Sequence, residues 1–208
     1  MAARTGTKGV PRRDREEQIL AAAQEEFARV GYGAASVVTV ARAAGISKPL
    51  VYSYFGSKEG LYVACVDAAG SIVADEVERS AGLGAVGLER GLLTVAGLTA
   101  VLDGRPHLWR VLFDPTVPDG TEAARAAARH TDRLHRLAVE GVGEMLELAG
   151  DSDPADRALT TRIWIGMLDT VLRWWAEHPD EPGASVLARV ERIAAGLAAG
   201  LGAGLAAG

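Results

Sequence analysis

Residues 36–61 read SVVTVARAAGISKPLVYSYFGSKEGL and gather the side chains best suited to chemistry in this chain. Lys48 and Lys58 carry positive charge, while Ser36, Ser47, Tyr52 and Tyr54 carry hydroxyls that both donate and accept hydrogen bonds. Such a set suits the binding of a polyanion. It lacks the paired base and nucleophile that bond-breaking requires. Other candidates fail on spacing. Residues 82–87 read GLGAVG, formally G-x-G-x-x-G, but a dinucleotide site needs a strand before the glycines. The preceding IVADEVERSA is a charged helical pattern, so a link between helices is expected there. Cys65 is the single cysteine and lies on an apolar helical stripe, a core position rather than a nucleophile. One cysteine also excludes a disulfide framework and a multi-cysteine metal site. His130 and His135, five apart, face different sides of a helix. Neither G-x-S-x-G nor H-E-x-x-H occurs. No catalytic residue, metal or cofactor is expected, and the chain does not read as an enzyme.

The elements that must hold residues 36–61 follow from periodicity. A helix from Asp14 is marked by Ile19, Ala23 and Phe27 at four-residue spacing, with Gly31 as its stop. Ser36 is placed to cap a second helix, whose Val37, Val40, Ala41 and Ala44 follow i, i+3, i+4, i+7. Gly45 supplies a tight turn, and Ala41 and Ala44 let two helices cross closely, with Ile46 between them. Ser47 opens a short third helix that tolerates Pro49 in its first turn. At about 100° per residue, Val51 and Phe55 point inward. Pro49, Leu50 and Ser53 then point outward, flanked by Tyr52 and Tyr54. Ser57 caps a fourth helix with an apolar stripe at Leu61, Cys65, Ala68 and Ile72. This is the helix-turn-helix pattern. An outward face of this composition fits a major groove, where Leu50 meets a thymine methyl and Lys48 and the hydroxyls reach phosphates or base edges. Lys58 at a helix start makes a phosphate clamp.

The rest of the chain is helical in pattern too. Candidate helices cover 88–102, 107–113, 121–148, 154–178 and 184–201, and no stretch keeps a two-residue alternation. At 208 residues, 49% hydrophobic and 24% charged, the chain can bury a sizeable core. Net charge is −5, but residues 1–60 carry nine Lys/Arg against six Asp/Glu and the remainder 13 against 21. A small basic head on an acidic body points to local rather than wholesale contact with nucleic acid. No apolar core follows Met1, and the longest uncharged apolar run, 193–208, is short of a membrane span. A soluble, cytoplasmic protein is expected.

Residues 14–61 resemble the DNA-binding domain of the TetR family of transcriptional regulators. The resemblance rests on ILAAAQEEFARVGY, the helix-turn-helix, and the YSYFGSKEGL run that joins it to the next helix. It implies an all-α homodimer with two N-terminal heads that read a palindromic operator in double-stranded DNA. A larger helical domain would bind a small-molecule effector and form the dimer. It implies DNA contact by Ser36, Ser47, Lys48, Pro49, Leu50, Tyr52, Tyr54 and Lys58. The expected organisation is an arm at 1–13, whose Arg4, Lys8, Arg12 and Arg13 offer a minor-groove contact but which is expected to be disordered, the DNA-binding domain at 14–60, the ligand and dimer domain at 61–201 and a flexible tail at 202–208.

In the C-terminal part, Ile163, Trp164, Met167, Leu168, Val171, Leu172, Trp174 and Trp175 cover more than one helix face, which requires burial on both. Val186, Val190, Ile193 and Leu197 form a second stripe, with which the first is expected to build the dimer. A pocket between these helices would draw on Trp109, Phe113, Met145, Trp164, Met167 and Leu168, with His107, Arg110, His130 and Asp169 as polar candidates. The expected function is a repressor released by its ligand. An activator, a regulator under a protein partner and a helical enzyme with an incidental helix-turn-helix are the alternatives.

Overall fold

A computed structural model describes residues 11–206 of the chain. Among the described residues there are nine α-helices and no strand: α1 Arg12–Ala34, α2 Val37–Ala43, α3 Lys48–Phe55, α4 Lys58–Ala81, α5 Gly87–Val101, α6 His107–Leu112, α7 Glu122–Leu148, α8 Pro154–Glu177 and α9 Gly183–Ala206. The loop 82–87 is an α4–α5 connection, as its lack of a preceding strand required. Two ends differ from the periodic pattern. Helix α1 starts at Arg12 because Pro11 takes the N-cap position and its carbonyl accepts the Arg15 N–H at 3.1 Å. Helix α9 continues to Ala206, since the alanines there favour helix enough to carry the intervening glycines. Residues 1–10 of the expected arm and 207–208 of the expected tail lie outside the described residues.

The chain divides into two compact units. The first runs to Gly70 and adds Arg110–His130; the second takes Ser71–Trp109 and the chain from Thr131 onward. The division falls inside α4, α6 and α7. The first unit therefore includes a segment far along the chain that periodicity alone did not attach to it.

In the first unit, Ile19, Ala23 and Phe27 of α1 are buried, as are Val40 and Ala41 of α2, Val51 of α3 and Leu61, Tyr62 and Cys65 of α4. Each large apolar side chain contributes about 1.5–3 kcal/mol on burial. Two polar side chains of α1 hold the ends of α2. Buried Glu26 accepts the Ser36 N–H at 3.2 Å, where a carboxylate complements the positive end of a helix. Gln18 donates to the Ala44 carbonyl at 3.0 Å, eight residues earlier in α1 and at the other end of α2, so the two helices run antiparallel.

Residues 110–130 are bonded into this unit. The Tyr62 hydroxyl donates to the Val111 carbonyl at 2.8 Å. Its ring packs edge-on against Phe27 and Tyr32, both at 4.9 Å between centroids. Asp114 accepts the Tyr32 N–H at 2.6 Å, just after Gly31 leaves the helical conformation at φ +76°. Glu59 accepts the N–H groups of Glu122 and Ala123 at 2.8 and 3.2 Å and so caps α7 from α4.

The second unit is built on Leu98, Leu102, Leu108, Leu172, Trp175 and Val186. Gly97 of α5 lies so close to α4 that a Cβ would strike the Glu76 carboxylate, itself buried and held by Arg79 and Ser80. Trp164 passes over Gly91 in the same way. Arg133 of α7 bridges Asp75 and Glu78 of α4, and Arg90 of α5 pairs with Glu144 of α7 at 2.6 Å.

Candidate nucleic-acid interface

The turn between α2 and α3 is closed by two backbone bonds. Ile46 N–H donates to the Ala41 carbonyl at 2.9 Å and Gly45 N–H to the Arg42 carbonyl at 3.1 Å, with Gly45 at φ +65°. This is the Schellman arrangement, and its left-handed residue is the reason for a glycine there. Ala41 and Ala44 are buried, as close helix crossing needs, and Ile46 is half-buried. Ser36 and Ser47 occupy the N-cap positions of α2 and α3, but neither side chain bonds the helix start. Their hydroxyls therefore stay available. Ser57 does cap α4, accepting the Gly60 N–H at 2.9 Å.

Val51 is buried and Phe55 half-buried, so the inward face of α3 is the one periodicity assigned. Ser47, Lys48, Pro49 and Ser53 are exposed; Leu50, Tyr52 and Tyr54 are half-buried. Lys48 lies over the Tyr52 ring at 5.5 Å, so the two act as a pair. Lys58 is half-buried, donates to the Gly33 carbonyl at 3.2 Å and sits 4.9 Å over the Tyr32 ring. An ammonium has three N–H donors, which leaves two for an external acceptor. Burial, and then the Glu59 charge, raise the pKa of Tyr32 above the ordinary phenol value.

Sequence reasoning left out Arg42, and it took Arg12 only as part of a basic N-terminal arm expected to be disordered. Arg42, in the last turn of α2, is exposed and makes no ion pair among the described residues. Arg12 is exposed, makes no ion pair among the described residues, and stacks on Tyr54 at 5.3 Å. Pro11 starts the helix at Arg12, two residues before the expected start at Asp14, so Arg12 and Arg13 are helical rather than part of a disordered arm. Lys48 and Lys58 likewise have no carboxylate partner, whereas Arg13 and Arg29 nearby are paired with Glu17 and Glu26. Four uncompensated cations around a short exposed helix make a surface for phosphates.

The ligand candidates do not form one cluster. Trp109 is buried in α6 and its Nε1–H donates to Asp169 of α8 at 2.9 Å, a carboxylate that Arg173 also binds. Trp164 and Leu168 are half-buried in the same unit, and Met145 lies near Gly87. Met167 is 40% exposed, beside Leu159 and Ile163 on the outer face of α8. Phe113, Arg110 and His130 fall in the first unit, where His130 packs on Gly70 and bonds Asp67 at 3.0 Å. His107 is half-buried at the start of α6. Burial pushes the Cys65 thiol well above its ordinary pKa, so at neutral pH it is not a thiolate.

Comparison with known proteins adds a family to this geometry. Residues 19–65 match the bacterial regulatory proteins of the tetR family. The chain is 47% identical over 55 residues to the HTH-type transcriptional activator FasR of Mycolicibacterium smegmatis, which covers 26% of this chain and 25% of that protein. The matched stretch thus spans about a quarter of the length of the curated relatives. Among solved structures, a TetR-like transcriptional regulator from Rhodococcus sp. RHA1 is 25% identical with a TM-score of 0.70, over 91% of this chain and 99% of that one. The transcriptional regulator FadR of Bacillus subtilis, solved with stearoyl-CoA, is 20% identical with a TM-score of 0.62, over 82% and 95%.

Proposed function

We infer that this chain, which belongs to the TetR family of bacterial regulatory proteins, is a homodimeric transcriptional repressor that binds a palindromic operator and leaves it when a small molecule binds. One observation carries the reading: α3 presents Ser47, Lys48, Pro49, Leu50, Tyr52 and Tyr54 outward from a buried Val51, on a unit whose cations Arg12, Arg42, Lys48 and Lys58 have no carboxylate partner among the described residues. Lys48, Tyr52 and Leu50 face base edges and the thymine methyl, and Lys58 and Ser36 hold phosphates.

The dimer reading rests on α8 and α9. Leu159, Ile163 and Met167 recur every four residues on one face of α8 and are 59%, 62% and 40% exposed. Ile193 and Leu197 of α9 are equally exposed, whereas Val186 and Val190 are buried within the protomer. Large apolar side chains left open in rows on two helices suit a symmetric partner with the same rows. The effector would be a mostly apolar small molecule, held among the Trp, Met and Leu side chains of the second unit. That FadR was solved with stearoyl-CoA supports an apolar ligand for this architecture. The mechanism is linkage: the ligand favours a dimer geometry in which two recognition helices no longer fit grooves one helical turn apart, about 34–36 Å.

The test is to select genomic fragments with the purified protein and footprint the winners. A protected palindrome, bound far more tightly than random duplex at physiological salt, is expected. Equal affinity for both sinks the reading. An activator role is the second reading, favoured by the activator FasR, and a reporter placed under the selected site separates the two by the sign of its response.

A further inference from the structure

We propose that Arg12 is a DNA-backbone contact, held in place by the ring of Tyr54, so that the first turn of α1 and the last turn of α3 grip one phosphate between them. The proposal rests on the reading that α3 enters DNA, and extends it to a residue outside the helix-turn-helix.

The guanidinium of Arg12 lies 5.3 Å from the Tyr54 ring centroid. It has no ion pair among the described residues, although Asp14, Glu16 and Glu17 follow it closely and Arg13 takes Glu17 at 3.0 Å. Glu17 is thus taken by Arg13, neither Asp14 nor Glu16 pairs with Arg12, and its guanidinium is left for an external anion. A guanidinium held over a ring rather than by a carboxylate keeps N–H donors for other acceptors. Tyr54 makes no side-chain hydrogen bond among the described residues, and its ring leans on Phe55 at 6.2 Å. The pair therefore presents several N–H donors and one O–H. The phenol oxygen is its one acceptor, and no carboxylate among the described residues pairs with the arginine. A phosphodiester, with negative charge and several acceptor oxygens, is the complement of that set. Tyr54 lies one helical turn beyond Leu50, on the same row of α3, so Arg12 extends the reading face at its Phe55 end. The ring restricts the long side chain before DNA arrives, which lowers the ordering cost on binding.

The experiment measures affinity against salt for the wild type and for Arg12→Ala, Arg12→Lys, Tyr54→Ala and the double Ala variant. Each is tested on the selected duplex and on an unrelated one, with thermal unfolding as the control for folding. Arg12→Ala should lower affinity for both duplexes by the same factor and flatten the salt slope by about one. Arg12→Lys should keep the wild-type slope yet bind more weakly, because the charge remains and the stacked fork is lost. The double variant should lose less affinity than the sum of the two single losses. A wild-type slope for Arg12→Ala, or fully additive losses, overturns the proposal. A wild type that prefers no duplex overturns instead the reading of α3 on which it stands.

Discussion

Lys58, proposed above as a phosphate contact, already has partners in the free protein. In the free protein it donates to the Gly33 carbonyl and covers Tyr32. On DNA its two remaining donors would meet a phosphate. Lys58→Ala should therefore weaken binding to all sequences about equally and flatten the salt slope by about one. A titration at several salt concentrations reads this directly, and an unchanged slope would remove Lys58 from the interface. Gly97 makes a different prediction. Its α-carbon faces the Glu76 carboxylate, which Arg79 and Ser80 already hold in place. Gly97→Ala should cost about 1–3 kcal/mol, since the added methyl must displace a bonded, buried group. Urea unfolding is the measurement, and a variant as stable as the wild type would show that Glu76 can swing away freely.

Helices α2 and α3 are too short to stand alone and depend on the elements around them. Helix α1 clamps both ends of α2 through Glu26 and Gln18, and the turn between α2 and α3 closes on its own backbone. Substitutions on the exposed face of α3 should therefore leave the fold intact, because its backbone is held by other side chains. Helix α8 carries the opposite case, an apolar row left largely open among the described residues. Ile163 is 62% exposed at the middle of that row. Ile163→Arg should leave the protomer folded and shift it from dimer to monomer, with operator affinity falling as a consequence. Sedimentation of the variant checks the first part. A variant that remains a dimer at micromolar concentration would place the interface elsewhere.

Across the whole molecule, all four tryptophans, Trp109, Trp164, Trp174 and Trp175, belong to the second unit, and the reading head has none. Intrinsic fluorescence therefore reports on the proposed ligand domain without a contribution from DNA contacts. An apolar effector should change this signal saturably and release operator DNA over the same concentration range. Linkage makes the test stricter, because operator DNA must weaken ligand binding by the same factor that ligand weakens DNA binding. A compound that changes fluorescence and leaves operator affinity untouched is a bystander. A broad screen that yields only bystanders would move control of the protein to a partner protein. The covalent route for the coupling is short, since α4, α6 and α7 each contribute to both units.

By itself the sequence determined what depends on neighbours three and four residues apart. The Ala41, Ala44, Gly45 and Ile46 turn, the inward Val51 and most helix ends follow from local periodicity and turn chemistry. The outward face of α3 follows from the same wheel. Tertiary structure decided what depends on residues far apart in the chain. Tyr62 meets Val111 across 49 positions, Glu59 meets Ala123 across 64 and Tyr32 meets Asp114 across 82. These bonds draw residues 110–130 into the head unit. No helical period encodes them, because each pairs one buried or capping group with a backbone atom in another element. The same limit applied to the stripe in α9, where four similar residues divide into buried Val186 and Val190 and exposed Ile193 and Leu197. Periodicity places them on one face, but only the helices packed alongside determine how far along α9 that face is covered.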